Sequence, residues 1–89
     1  MPNPIPNWDL ARRIVKFVGT KQIKGEEVTV KATRLTIGIG LQRIEKILKE
    51  AEVVYEIIPD RESPKDSLIL LKFVPPLLAN DAGILRQDL

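Results

Sequence analysis

The sequence predicts an α+β fold, three helices followed by a β-hairpin, from three observations. Leu41, Ile44, Ile47, Leu48 and Ala51 recur at three- and four-residue spacing, with Gln42, Arg43, Lys46, Lys49 and Glu50 on the other side; this is the period of an amphipathic helix. Gly38 and Gly40 bracket Ile39 just before that helix, where glycine lets the backbone take positive φ and reverse. Further on, VVYEII (53–58) and SLILLKFV (67–74) flank the polar, proline-containing PDRESPKD, which is the composition of two strands and a turn.

A chain of 89 residues suits one domain, and one that buries only about 60–65% of its unfolded surface. Cysteine and histidine are both absent, which removes disulfides, thiol nucleophiles, Cys/His zinc sites and imidazole acid–base chemistry. The nearest paired carboxylates, Glu26-Glu27 and Glu50/Glu52, sit in no unusual frame. There is no P-loop, no nucleophile elbow and no GxGxxG, since TIGIGLQ lacks a third glycine. The expectation is a protein without enzymatic activity, metal or cofactor. No apolar run reaches the roughly 18 residues of a membrane span, and MPNPIPNWD lacks the basic and apolar regions of a signal peptide. A cytoplasmic protein is expected, nucleoid-associated or, in a eukaryote, nuclear.

The net charge of +2 conceals a split. Residues 1–49 hold ten Lys/Arg and four Asp/Glu, net +6, and residues 50–89 hold four and eight, net −4. A basic half beside an acidic half suits a polyanion on one face, and equally suits an ordinary solvated surface.

In chain order, MPNPIPN (1–7) reads as an extended arm because its three prolines resist helix. Asn7 is the expected N-cap of a first helix over Trp8–Val18, Asp9 complements its dipole, and Gly19 is its expected C-cap. Arg12, Arg13 and Lys16 lie on its wet side, and Trp8 is expected to pack the end of the core. GTKQIKGEE (19–27) reads as a polar connector, with Ile23 as a short first strand. VTVKATRLTI (28–37) nearly alternates like a strand and also fits a helical face with Thr29 as cap. The glycine turn and long helix that follow favour a helix over Thr29–Thr36. The third helix is expected over Leu41–Glu52, with Glu45 and Lys49 as an i,i+4 pair. Residues 8–74 form the expected domain. The tail 75–89, with Leu77, Leu78, Ile84 and Leu85, reads as a short helix, a loose end or a contact between two subunits.

The order helix, short strand, helix, glycine turn, helix, hairpin resembles the winged helix-turn-helix family of DNA-binding domains over Trp8 to Phe73. Its most specific part is Ile37-Gly38-Ile39-Gly40 followed by Leu41, Ile44, Ile47 and Leu48, and ILKEAEVVYEI resembles the passage from recognition helix into wing. Two positions depart from the family pattern. The small residue four places before the turn glycine is Arg34 here, and Glu52 stands where glycine is frequent.

The resemblance implies a small transcriptional regulator or DNA-organising protein that binds double-stranded DNA. It implies base contacts from Gln42, Arg43 and Lys46, whose side chains suit base edges. Arg12, Arg13, Lys16, Lys21, Lys24, Lys31, Arg34 and Lys49 are the candidate phosphate contacts. Arg61 and Lys65 are the wing candidates, on a tip that also carries Asp60, Glu62 and Asp66. A homodimer through the C-terminal tail would suit two half-sites about 34 Å apart. The alternative is a winged helix that serves as a protein-interaction module in a larger assembly.

Overall fold

Among the described residues, three left-handed glycines, Gly25, Gly38 and Gly83, and one left-handed glutamate, Glu52, stand where the helices stop. The computed structural model describes residues 7–59, 62 and 66–84. Its elements are α1 (Trp8–Ile23), α2 (Val30–Ile37), α3 (Leu41–Glu50), β1 (Val54–Ile58), β2 (Leu68–Phe73) and α4 (Pro76–Ala82). The fold is α+β, with four helices and an antiparallel hairpin. The expected arm before Asn7, the tip residues Arg61 and Lys65, and Leu85 lie outside the described residues.

Helix α1 runs five residues past its expected end. Gly19 is not a cap but a buried helical residue, where a Cβ would stand 3.0 Å from Ile84 Cδ1. The missing side chain lets the segment after α4 close on α1, and that burial offsets the roughly 0.5–1 kcal/mol glycine costs within a helix. The stop comes at Gly25, φ 81. There Gly25 N–H donates to Gln22 O and Glu26 N–H to Lys21 O, both at 3.0 Å, a left-handed closing turn. Asn7 holds the N-cap position, but at φ 62 its side chain does not cap; its carbonyl accepts Ala11 N–H at 2.9 Å.

Both readings of residues 28–37 contain part of the answer. Thr29 forms an isolated bridge to Leu68, flanked by Val30 N–H to Ser67 O at 2.7 Å and Ile69 N–H to Val28 O at 2.9 Å. The strand expected at Ile23 is therefore supplied by Thr29, and Ile23 ends α1 instead. Helix α2 starts at once, capped by Thr29 Oγ1 accepting from Ala32 N–H at 3.0 Å. Val30, Thr33 and Ile37 are the buried positions on α2; Thr33 donates its hydroxyl to Thr29 O at 2.9 Å, while Arg34 is exposed. A one-residue shift in register thus keeps Arg34 out of the helix crossing. Gly38 closes α2 at φ 85 and Gly40 precedes α3 at φ −79, so only the first glycine meets a conformational demand. Ile39 between them is half-buried against the core.

Helix α3 ends at Glu50, two residues before the expected end. Val53 N–H reaches back to Leu48 O at 2.9 Å and Glu52 N–H to Lys49 O at 3.0 Å, with Glu52 at φ 60. This is the closing turn that glycine usually makes, made here by glutamate. A Cβ in left-handed geometry costs about 1 kcal/mol. Glu52→Gly is accordingly expected to raise stability by about 0.5–1 kcal/mol, read as a higher urea midpoint at unchanged slope.

Strands β1 and β2 pair antiparallel as Val54↔Phe73, Tyr55↔Leu71, Glu56↔Leu70, Ile57↔Ile69 and Ile58↔Leu68, with a bulge between Val54 and Tyr55. On its far side β2 meets Val28 to Val30 and then the side chain of Gln22. That amide donates to Leu71 O at 2.7 Å and accepts from Leu71 N–H at 2.9 Å. Gln22, placed in a connector by the sequence, thus replaces two ladder bonds of a missing strand.

The core is shared by Ile14, Val15 and Val18 of α1, Ile44, Ile47 and Leu48 of α3, Leu71 of β2, and Leu78 and Ala79 of α4. Pro75 and Pro76 end the hairpin and start α4, with Pro76 at the first helical position, where its missing N–H costs nothing. Leu78 and Ile84 are buried within this chain, which removes them as a contact between subunits, while Leu77 is exposed. The folded unit extends past residue 74 because α1 alone leaves one side of its apolar stripe uncovered.

Candidate nucleic-acid interface

Helix α3 is held from below and open above. Ile44, Ile47 and Leu48 are buried, and Gln42, Arg43, Lys46 and Lys49 are exposed. Gln42, Arg43 and Lys46 line one shallow hollow together with Asn7, Ile47 and Glu50. Asn7 had no sequence signal for this position. It arrives there because packing sets the start of α1 beside α3, a contact between residues more than thirty apart in the chain.

The other cations separate into groups. Arg13, Lys16, Lys21 and Lys24 rim a groove of about 410 Å³ between α1 and the end of α2, over Phe17, Thr20, Thr36 and Ile37, and Glu26 is the carboxylate beside them among the described residues. Lys21 lies 3.9 Å from Glu26 and 5.5 Å from the Phe17 ring centroid, so it is the least free of the four. Arg12 is ion-paired with Asp9. Lys31 and Arg34 are exposed on α2. Trp8 is half-buried against the core and donates Nε1–H to Asp81 Oδ2 at 2.5 Å, which commits it to joining α1 and α4. Arg61 and Lys65, the wing candidates, lie outside the described residues.

Glu45 does not form the expected pair with Lys49. Its Oε1 accepts the Tyr55 hydroxyl at 2.6 Å, tying α3 to β1. The sequence gives no local sign of this, because the tyrosine is ten residues away and reaches Glu45 only after the turn at Glu52. Burial first, then the hydrogen bond and charge of Glu45, push the Tyr55 pKa well above its ordinary value near 10. A phenol whose folded pKa is raised contributes stability that is whole below the unfolded pKa and lost as pH rises beyond it. Stability is expected to fall as pH climbs above about 10. Tyr55→Phe should remove that alkaline decline and cost about 0.5–1.5 kcal/mol at neutral pH, both read from urea unfolding across pH.

Among the described residues no group of three or more Asp or Glu is placed to hold a metal ion, and no helix is long and apolar enough to cross a membrane. Comparison with protein families, curated proteins and solved structures finds no match for this chain.

Proposed function

We propose that the chain is a winged helix-turn-helix protein that binds double-stranded DNA through α3, as a small transcriptional regulator or DNA-organising factor without enzymatic activity. The observation that carries this reading is the division of α3. Its apolar side is fixed in the core, its start is set by the Gly38 turn, and Gln42, Arg43 and Lys46 stand together on the open side. Arg is suited to guanine O6 and N7 and Gln to adenine N6 and N7, while Lys46 adds a further donor. Rigid seating matters because base readout requires side chains delivered from a fixed axis. Lys31, Arg34 and Lys49, with Arg12, Arg13, Lys16, Lys21 and Lys24, act as phosphate contacts that set register and salt dependence.

Glu50 in the same hollow lowers the local positive potential. That, with the apolar outer side of the hairpin, favours a second reading in which the domain docks on protein. Amide chemical-shift mapping with a random-sequence duplex separates the two. Shifts centred on Gln42 to Lys46 and the α2–α3 turn support the DNA reading. The absence of shifts at low salt would refute it and leave protein docking.

A further inference from the structure

The outward side of the hairpin is apolar where an ordinary two-stranded surface sheet is polar. Tyr55, Ile57, Ile69 and Leu71 face the core. The alternate positions face away, and they are Val54, Glu56 and Ile58 on β1 with Leu68, Leu70 and Phe73 on β2. Val54 is 54% exposed, its partner Phe73 50% and Ile58 40%, while Leu68 and Leu70 are half-buried. An antiparallel sheet with one side in water normally alternates apolar in and polar out. Apolar side chains scattered singly over a surface are ordinary, whereas several side by side on one face suit an interface.

We infer that this face is where two copies of the chain meet, hairpin against hairpin, about a two-fold axis. A two-fold interface must be self-complementary, and the strands β1 and β2 suit that: they carry one carboxylate, Glu56, and one ammonium, Lys72 at the bulge, both exposed beside the apolar residues. Face-to-face packing lets Glu56 of one copy meet Lys72 of the other, twice. Pairing along the edge of β1 that faces away from β2 is the less favourable geometry, because antiparallel alignment about the strand centre sets the two Glu56 carboxylates opposite each other, and like charges directly opposite destabilise a ladder. The face is small. Strands of this length span about 17–20 Å, and two of them give a patch well short of the roughly 800 Å² per partner of a standard interface. The dimer is therefore a concentration-dependent one.

Sedimentation velocity across about 10 µM to 1 mM chain tests this directly. The wild type should move from monomer toward dimer over that range. Phe73→Lys should remain monomeric throughout, with circular dichroism and thermal unfolding confirming that it is folded. Glu56→Lys alone and Lys72→Glu alone should each weaken the dimer at least tenfold. The double variant Glu56→Lys/Lys72→Glu should restore it, as should an equimolar mixture of the two single variants. A wild type that stays monomeric at 1 mM would overturn the inference, as would a dimer that Phe73→Lys leaves intact. Failure of the double swap to restore association would overturn the face-to-face arrangement. None of these outcomes depends on whether the chain binds DNA.

Discussion

Leu48→Ala is expected to lower unfolding stability by about 2–5 kcal/mol, the cost of deleting a fully buried leucine and leaving a partly collapsed cavity. Leu48 is 0% exposed on the inner side of α3, and its carbonyl also accepts the Val53 N–H that closes the helix. A domain of this size holds about 4–13 kcal/mol in total, so the loss removes a large part of it. Leu35→Ala is the matched control. The chemical change is the same, but Leu35 is 75% exposed on α2, and a surface truncation is expected to stay within about 0.5 kcal/mol. Urea unfolding of the two variants gives the comparison. Similar losses in both would contradict the assignment of which side of each helix is inside.

The second large effect concerns binding. Arg43→Ala is expected to cost about 1–3 kcal/mol on the preferred duplex and to relax selectivity at one base pair. Lys16→Ala, on the groove between α1 and α2, is expected to weaken all sequences alike and to lower the salt slope by about one. The two changes remove one positive charge each, so net charge cannot explain a difference between them. Equal losses on every sequence from both would remove the base-reading role from Arg43 while leaving α3 a phosphate-binding surface.

What was legible in the sequence was what the chain decides locally. The 3–4 spacing from Leu41 to Ala51 marked α3 and its inner face, and the apolar runs at 53–58 and 67–74 marked the hairpin. The glycine turn resolved the ambiguous stretch before it, and α2 starts within one residue of its expected place. The errors came from contacts between distant residues. Gly19 reads as a stop until Ile84 is seen lying against it, and α1 then continues to a second glycine six residues on. Gln22 looks like connector until β2 needs a partner for Leu71. Leu78 and Ile84 look like spare apolar surface until α4 covers α1.

VVYEII and LILLKF do not alternate as the strands of an antiparallel sheet with one side in water normally do, and Val54, Ile58 and Phe73 are accordingly exposed apolar residues. For the α3 face, spacing alone gathered Gln42, Arg43 and Lys46. It could not bring Asn7 to the same hollow, nor turn Glu45 away to Tyr55, because both depend on how α1 and β1 pack against α3.

The most direct measurement is fluorescence anisotropy of a labelled duplex titrated with the protein at several salt concentrations, beside Arg43→Glu. Binding through α3 predicts a Kd in the micromolar range or tighter at low salt, about 10⁻⁶ M or below, a logarithmic affinity that falls linearly with logarithmic salt, and loss of binding in Arg43→Glu. Absence of binding at low salt, or binding that Arg43→Glu leaves unchanged, would contradict it.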